Sequence, residues 1–197
     1  MEIEYKYRVP PALFDKFAAD PSLRDAAVIG MEAAYFDTPD RMLRDAGVTL
    51  RLRRETPQGQ PGAAICCVKL PAPEGDNASA GLRRRLEYEC EAESVEAGLS
   101  VLLARGIPPE PLRAALSRGL IVTARVSYIR REALIKADGA SYTVCLDRGT
   151  LGTMPFSELE VEHKSGIFGL TAAAALALAE RWGLEPEPLS KYARALL

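Results

Sequence analysis

The stretch that decides the fold lies near the start of the chain and reads Glu2-Ile3-Glu4-Tyr5-Lys6-Tyr7-Arg8-Val9. Charged and apolar residues alternate along it, and a period of two predicts a β-strand with one charged face. Neighbouring like charges on such a face lie ~7 Å apart and repel unless an opposite charge sits between them. The apolar face, with Ile3 and Tyr5, needs a covering layer.

The same alternation recurs further along the chain. Three stretches carry pairs of glutamates, Glu2/Glu4, Glu87/Glu89 and Glu160/Glu162, and Glu158 shares the face of the last pair. One stretch carries the pair Arg51/Arg53. Alternating or apolar runs predict strands over 2–9, 27–37, 48–55, 63–70, 83–91, 120–136, 141–148 and 156–164.

Helices and turns separate these strands. Periodicity and proline positions predict helices over about 11–19, 94–105, 109–117 and 172–182, and a loop over 71–81. The strands over 120–136 and 141–148 read as a hairpin that turns at Asp138-Gly139. About eight mostly sequential strands indicate an antiparallel sheet, so the chain belongs to the α+β class.

The segregated charges favour a closed barrel over an open sheet. A single charged face is most simply explained by exposure to water, but solvated faces usually mix signs and include serine and threonine. Here several strands carry blocks of one sign. Because a barrel turns all same-face residues toward one axis, a barrel with a charged lumen accounts better for the pattern.

Such a lumen indicates a metal–polyphosphate ligand. Carboxylate clusters select hard divalent cations such as Mg²⁺, Mn²⁺ or Ca²⁺, and arginine and lysine clusters bind polyanions. The sequence contains neither a Walker A loop nor a G-x-G-x-x-G motif. Phosphates would therefore be held by side chains and not by a backbone cradle.

Composition narrows the kinds of ligand and site that the chain can have. The chain has 197 residues, 48% hydrophobic and 26% charged, which fits one soluble domain over 1–197. Its net charge of −2 gives no general reason to bind nucleic acid or an anionic membrane. The single histidine, His163, excludes multi-histidine metal centres, and it alternates away from the charged face. The four cysteines read as buried free thiols, and the acidic N-terminus favours a cytoplasmic location.

An ordered set of motifs resembles the CYTH superfamily, the triphosphate tunnel metalloenzymes. The matches are Glu2-Ile3-Glu4-Tyr5-Lys6, Tyr35-Phe36-Asp37-Thr38, Leu50-Arg51-Leu52-Arg53, Lys69, Arg85-Leu86-Glu87-Tyr88-Glu89, Arg125, Asp147, Glu160-Val161-Glu162 and Ser190-Lys191-Tyr192. The E-x-E-x-K element alone is weakly specific, but the ordered set covers residues 2–192.

The resemblance implies an eight-stranded antiparallel β-barrel, open at both ends, with helices packed outside and a triphosphate bound within. Expected metal ligands, for Mg²⁺ or Mn²⁺, are Glu2, Glu4, Glu158, Glu160 and Glu162. Expected triphosphate-binding residues are Lys6, Arg51, Arg53, Lys69, Arg85, Arg125 and Lys191. Glu87, Glu89 and Asp147 are expected catalytic carboxylates that hold a second metal or position water. Many relatives carry a second basic residue where this chain has Ser127, and Arg130 or Arg131 would replace it if a bulge resets the register.

The resemblance also implies the chemistry. We expect metal-dependent hydrolysis of a triphosphate, foremost inorganic tripolyphosphate, to diphosphate and phosphate. Three alternatives stay open: a class IV-type adenylate cyclase, a thiamine triphosphatase and a non-catalytic binder of polyphosphate or nucleotide. The expected partner is a small triphosphate, with neither nucleic acid nor membrane, and the chain would act as a monomer or homodimer.

Overall fold

A computed structural model describes residues 1–73, 81–137 and 139–197. The strands are β1 (Glu2–Arg8), β2 (Ala27–Asp37), β3 (Thr49–Pro57), β4 (Ala63–Pro71), β5 (Leu82–Glu91), β6 (Ile121–Ala137), β7 (Ala140–Leu151), β8 (Met154–Gly166) and β9 (Glu185–Pro186). The helices are α1 (Pro11–Ala18), α2 (Met42–Asp45), α3 (Val95–Ala104), α4 (Leu112–Arg118), α5 (Phe168–Trp182) and α6 (Lys191–Ala195). The predicted loop over 71–81 and the turn at Asp138 fall largely or wholly outside the described residues.

The sheet closes on itself. The strands follow the order β5-β4-β3-β2-β6-β7-β8-β1, and β1 pairs with β5 to complete the ring. All these pairings are antiparallel, and the short β9 adds to β1 outside the ring. The predicted eight-stranded antiparallel barrel with external helices is therefore confirmed. The expected strands agree with the observed ones to within a few residues, whereas β9, α2 and α6 carry no period that predicts them.

Helices cover two parts of the outer surface. α1 and α5 pack against β1, β7 and β8 through a cluster that includes Tyr5, Phe17, Val161 and Ala175. A second cluster, with Leu50, Val68, Leu99 and Leu112, joins α3 and α4 to β3 and β4. The apolar residues that alternate with the charged ones thus meet helices, which leaves the charged residues facing the barrel axis.

One end of the barrel is filled by aromatic side chains and covered by α6. Tyr192 on α6 stacks on Tyr35 with ring centroids 4.8 Å apart, and both are buried together with Tyr128 and Phe156. Ser190 caps α6, because its hydroxyl accepts a hydrogen bond from the Ala193 amide. The expectation that the channel is open at both ends stays a prediction.

Candidate triphosphate and metal site

The charged side chains converge on one cavity inside the barrel, with a volume of about 280 Å³. Among the described residues, nine basic side chains line it: Lys6, Arg51, Arg53, Lys69, Arg83, Arg85, Arg130, Lys164 and Lys191. Eight carboxylates line it as well: Glu2, Glu4, Glu55, Glu87, Glu89, Glu132, Glu160 and Glu162. Seven of the eight barrel strands and α6 contribute to this wall.

Twelve of the fifteen expected site residues lie on this cavity: Glu2, Glu4, Lys6, Arg51, Arg53, Lys69, Arg85, Glu87, Glu89, Glu160, Glu162 and Lys191. Residues from distant parts of the sequence meet because the strand alternation turns each of them toward the same axis. The remaining three expected residues, Arg125, Asp147 and Glu158, lie elsewhere.

One wall of the cavity is acidic. Glu4 on β1 lies opposite Glu162 on β8, and Lys6 lies opposite Glu160. Burial raises the pKa of Glu4, and the nearby Glu160 and Glu2 raise it further, although Lys6 at 3.3 Å opposes this. Burial also raises the pKa of Glu162, which pairs with Lys164 at 2.7 Å. Carboxylates crowded in this way favour a bound cation, and their oxygen-only donor set suits a hard divalent metal.

The opposite side of the cavity carries a guanidinium and ammonium cluster. Lys69 donates to both Glu2 oxygens, at 2.6 and 2.7 Å, and lies 3.1 Å from Glu87. Arg51 lies 3.5 Å from Glu87, but its buried Nε has no hydrogen-bond partner among the residues that the structure describes. Burial alone would raise the pKa of Glu87, yet Lys69 and Arg51 hold it below its usual value. Such a cluster has donors to offer an anion.

Glu160 is the most heavily paired carboxylate at the floor of the cavity. It accepts from Lys191 at 2.9 Å and from Arg130 at 2.5 Å, and it lies 3.3 Å from Lys6. Burial alone would raise the pKa of Glu160, but Lys191, Lys6 and Arg130 together hold it well below its usual range. Glu160 thus stays ionised and gathers three cations at one point.

The expectation that Arg125 lies in the barrel is wrong, and Arg130 takes that place. On β6 the even-numbered residues from Tyr128 face the cavity, whereas Arg125 and Ser127 line a groove on the outer surface. The irregularity in β6 occurs opposite Tyr35 and Phe36, before Arg125, so the alternation beyond it continues unbroken. Arg131 is exposed on the outer face as well.

Asp147 and Glu158 share the inward faces of their strands but lie below the cavity floor, not on its surface. Both are fully buried. Asp147 accepts two hydrogen bonds of 2.8 Å from Arg130, and Glu158 pairs with Lys191 and Arg194. With Glu160 they form an acidic group that surrounds the Lys191 ammonium. Asp147 and Glu158 therefore do not line the cavity itself, although together with Glu160 their oxygens lie close enough to hold a metal ion. The expected roles of Glu158 as a metal ligand and of Asp147 as a catalytic carboxylate stay predictions.

Several cavity residues were not singled out from the sequence. Arg83 and Glu55 lie on the same strand faces as the expected residues, and alternation places both of them inside the barrel. Glu132 and Lys164 extend the inward faces of β6 and β8. Tyr128 carried no signal, because an aromatic residue on a strand reads equally well as core.

His163 and the cysteines have structural surroundings. The His163 Nδ1 lies 2.9 Å from the Thr171 hydroxyl on α5, so His163 faces outward as expected. All four cysteines are buried free thiols, which confirms that expectation. Burial raises the pKa of Cys67 to about 12, and its Sγ donates to Glu87 at 3.1 Å on the cavity wall. In the parts of the chain that the structure covers, none of the helices has the length and apolar character required to cross a membrane.

Comparison with known proteins places this architecture among solved structures. The putative adenylyl cyclase HpAC1 from Hippeastrum, described as having a dominant triphosphatase activity, is 17% identical with a TM-score of 0.68, covering 98% of this chain and 94% of that one. The PH1819 protein from Pyrococcus horikoshii is 20% identical with a TM-score of 0.62, covering 96% and 95%. A putative adenylate cyclase from Bacillus halodurans is 22% identical with a TM-score of 0.61, covering 96% and 94%. At these identities the likeness shows the shared fold.

The family model for the CYTH domain matches residues 1–195. That match spans both the barrel and α6. It agrees with the ordered motifs of the sequence and with the inward convergence of their charged residues. The chain therefore belongs to the CYTH domain family.

Proposed function

We propose that this protein hydrolyses a triphosphate, foremost inorganic tripolyphosphate, to diphosphate and phosphate in the presence of Mg²⁺ or Mn²⁺. The observation that carries the proposal is the convergence of nine basic side chains and eight carboxylates on one enclosed cavity within the described part of the chain. A merely solvated surface has no reason to gather both signs around one axis.

The charge balance of the cavity supports a metal–triphosphate complex over a bare anion. Nine cations against eight carboxylates leave the described lining nearly neutral. A triphosphate brings several negative charges into this space, and transferring uncompensated charge into a protein interior is costly. Divalent cations would offset that excess, which makes the acidic wall a functional partner of the basic one.

The residues fit such a metal. Glu2, Glu4, Glu160 and Glu162 present oxygen donors from two adjacent strands, as Mg²⁺ and Mn²⁺ prefer. Bound between these carboxylates, a divalent cation would supply positive charge beside the phosphoryl oxygens. Each of Glu2, Glu4 and Glu160 also pairs with a lysine that would bind phosphate. When metal and substrate are bound, the glutamate of each pair would turn to the metal and the lysine to the phosphates.

The basic residues would bind and orient the chain of phosphates. Arg51, Arg53 and Lys69 lie on adjacent strands β3 and β4, with Arg85 on β5 beside them. Phosphoryl transfer spreads negative charge over the equatorial oxygens, and fixed cations stabilise that charge without reorganising at the moment of reaction. The Arg51 Nε, which has no hydrogen-bond partner in the described part of the chain, would provide one such donor.

Glu87 and Glu89 would position the attacking water. Lys69 and Arg51 keep the Glu87 pKa low, so Glu87 acts as a hydrogen-bond acceptor that orients water more than as a strong base. The water oxygen forms a bond to the terminal phosphorus, the bridging P–O bond breaks, and diphosphate leaves with the electron pair. One water proton stays on the phosphate product, and the other passes to solvent. With the α6 residues Lys191 and Tyr192 at one end of the cavity, substrate would enter and products would leave at the other end.

Adenylate cyclase activity is the second candidate, favoured by the Hippeastrum and Bacillus halodurans neighbours, which are named as putative cyclases. The same cations would hold ATP, and the ribose 3′-hydroxyl would replace water as the nucleophile. A thiamine triphosphatase would use the same clamp. Cyclic AMP forms only in the cyclase reaction, and the two hydrolases differ in which substrate releases phosphate.

The experiment is a substrate panel of tripolyphosphate, thiamine triphosphate, ATP and GTP, assayed for phosphate and cyclic AMP with Mg²⁺ or Mn²⁺ and with EDTA. We expect phosphate release from tripolyphosphate that EDTA abolishes. Glu4→Gln and Lys6→Gln should each lower kcat/KM at least 100-fold, whereas Glu32→Gln and Lys136→Gln, matched changes of exposed residues, should not. Equal rates in EDTA would refute the metal dependence, and a fully active Glu4→Gln would refute the site.

A further inference from the structure

We infer that Arg194, held by Glu187, is a positioning residue that keeps the Lys191 ammonium at the floor of the cavity. Neither Arg194 nor Glu187 belongs to the motifs of the sequence, and neither is part of the cavity lining described above. The inference rests on the proposed function only in giving Lys191 a triphosphate to bind. The positioning itself follows from contacts within the protein.

Arg194 and Lys191 bind the same carboxylate from one face of α6. They are three residues apart on the helix, so their side chains lie on the same side. Lys191 reaches Glu158 Oε1, and Arg194 reaches Glu158 Oε2. Because Glu158 is fully buried, its charge must be neutralised by these neighbours and by nothing from solvent.

Glu187 fixes Arg194 from the other side. Its carboxylate is 2% exposed, lies 3.5 Å from Arg194 Nη1, and accepts 2.7 and 2.9 Å hydrogen bonds from Arg8 Nε and the Leu189 amide. The guanidinium of Arg194 also lies 5.4 Å from the centroid of the Phe156 ring. A line of alternating charges thus runs from the cavity to the surface, where Arg8 is half-exposed.

These contacts determine the position of the Lys191 ammonium. Three carboxylates surround its ammonium: Asp147, Glu158 and Glu160. Arg130 shares Asp147 and Glu160, and Arg194 shares Glu158. Without Arg194, Glu158 has a second oxygen to satisfy, and Lys191 is the adjacent cation that would turn toward it. The ammonium would then withdraw from the cavity and bind phosphate less well.

The test is a double-mutant cycle with tripolyphosphate as substrate. Arg194→Gln should raise KM about tenfold and change kcat less than threefold, because one charged contact to substrate is weakened. In a Lys191→Gln background the same substitution should have no further effect on KM, since its action passes through Lys191. Arg194→Lys should restore part of the affinity.

Arg148→Gln is the matched control. Arg148 and Arg194 line one groove on the outer surface, which is not the groove that contains Arg125. Unlike Arg194, Arg148 pairs with Asp15 and packs on Phe14. Its removal should leave KM unchanged. Circular dichroism on each variant shows whether the fold is retained. An unchanged KM in Arg194→Gln, or an equal loss in the Lys191→Gln background, would overturn the inference.

A second measurement separates this inference from the proposed function. The ¹⁵N–¹H signal of the Lys191 ammonium, assigned with Lys191→Arg, should shift in Arg194→Gln and stay in place in Arg148→Gln. This readout needs no substrate. If the wild-type protein hydrolyses no triphosphate, the proposed function fails. The Lys191 signal still shows whether Arg194 positions the Lys191 ammonium. An unmoved signal would refute the positioning whatever the activity.

Discussion

Replacing Arg130 with glutamine tests how much the buried ion pairs inside the barrel contribute to stability. Arg130 donates to Asp147 through Nε and Nη2, both at 2.8 Å, and to Glu160 through Nη2 at 2.5 Å. Its side chain is 12% exposed, and that of Asp147 is fully buried. Glutamine keeps a polar group of similar reach but removes the charge and the two-pronged geometry.

The expected loss follows from these contacts. Removing one partner of a buried, hydrogen-bonded ion pair costs about 3–5 kcal/mol, because it leaves an uncompensated buried charge. Lys191 remains 2.9 Å from Asp147, which places the expected value near the lower end of that range. For a chain of this size, a loss near the lower end should lower the melting temperature by roughly 6–12 °C. We also expect Arg130→Gln to weaken tripolyphosphate binding.

The assay is urea unfolding followed by circular dichroism, with Arg125→Gln and Arg131→Gln as controls. Both control residues are exposed on the outer face of β6, so each change should lie within about 0.5 kcal/mol of the wild-type stability. The reasoning is refuted if Arg130→Gln costs less than about 1 kcal/mol, or if Arg125→Gln is equally damaging.

Three further predictions concern packing, pH and thiol reactivity, and none of them changes an ion pair of the cavity. Gly98→Ala should destabilise the protein by about 1–3 kcal/mol in urea unfolding, because a Cβ there would lie 2.2 Å from the Cys66 Cβ; a stability within 0.5 kcal/mol would contradict the packing of α3 on β4. Burial alone would raise the pKa of Asp20, but hydrogen bonds from Ser22 and Trp182 lower it, so the advantage of the wild type over Asp20→Asn should be full above about pH 4 and disappear as pH falls through the folded pKa. An advantage that does not shrink as the pH is lowered below about 4 would contradict this. The buried cysteines, with the pKa of Cys66 raised to about 12, should react with a maleimide at pH 8 only in denaturant, and fast labelling of the folded protein would be inconsistent with the core.

Strand alternation predicts which face a residue occupies, and for this reason the sequence identifies most of the cavity. Glu2, Glu4 and Lys6 on β1 were predicted to share a face and do so, and Arg51 and Arg53 on β3 behave likewise. The closed barrel also follows, because a charged lumen accounts for one-signed faces on several strands better than an open, solvated sheet does.

Alternation does not reveal how deep along the barrel axis a residue lies, nor whether the odd- or the even-numbered residues of a strand face inward. Asp147 and Glu158 lie on inward faces but below the cavity floor, a position set by the strand register and by the cover that α6 provides. Arg125 was expected inside because of its motif, but its odd-numbered place on β6 turns it outward and brings Arg130 in. The role inferred for Arg194 depends on where α6 packs, which no local pattern encodes.

The most direct test of the central claim is a crystal structure with Mn²⁺ and a non-hydrolysable triphosphate analogue, with anomalous scattering to locate the metal. The account predicts an anomalous peak beside Glu2, Glu4, Glu160 and Glu162, with the phosphates between that metal and the cluster of Arg51, Arg53 and Lys69. Metal and triphosphate found only on the outer surface, with the ion pairs inside the barrel unchanged, would contradict it.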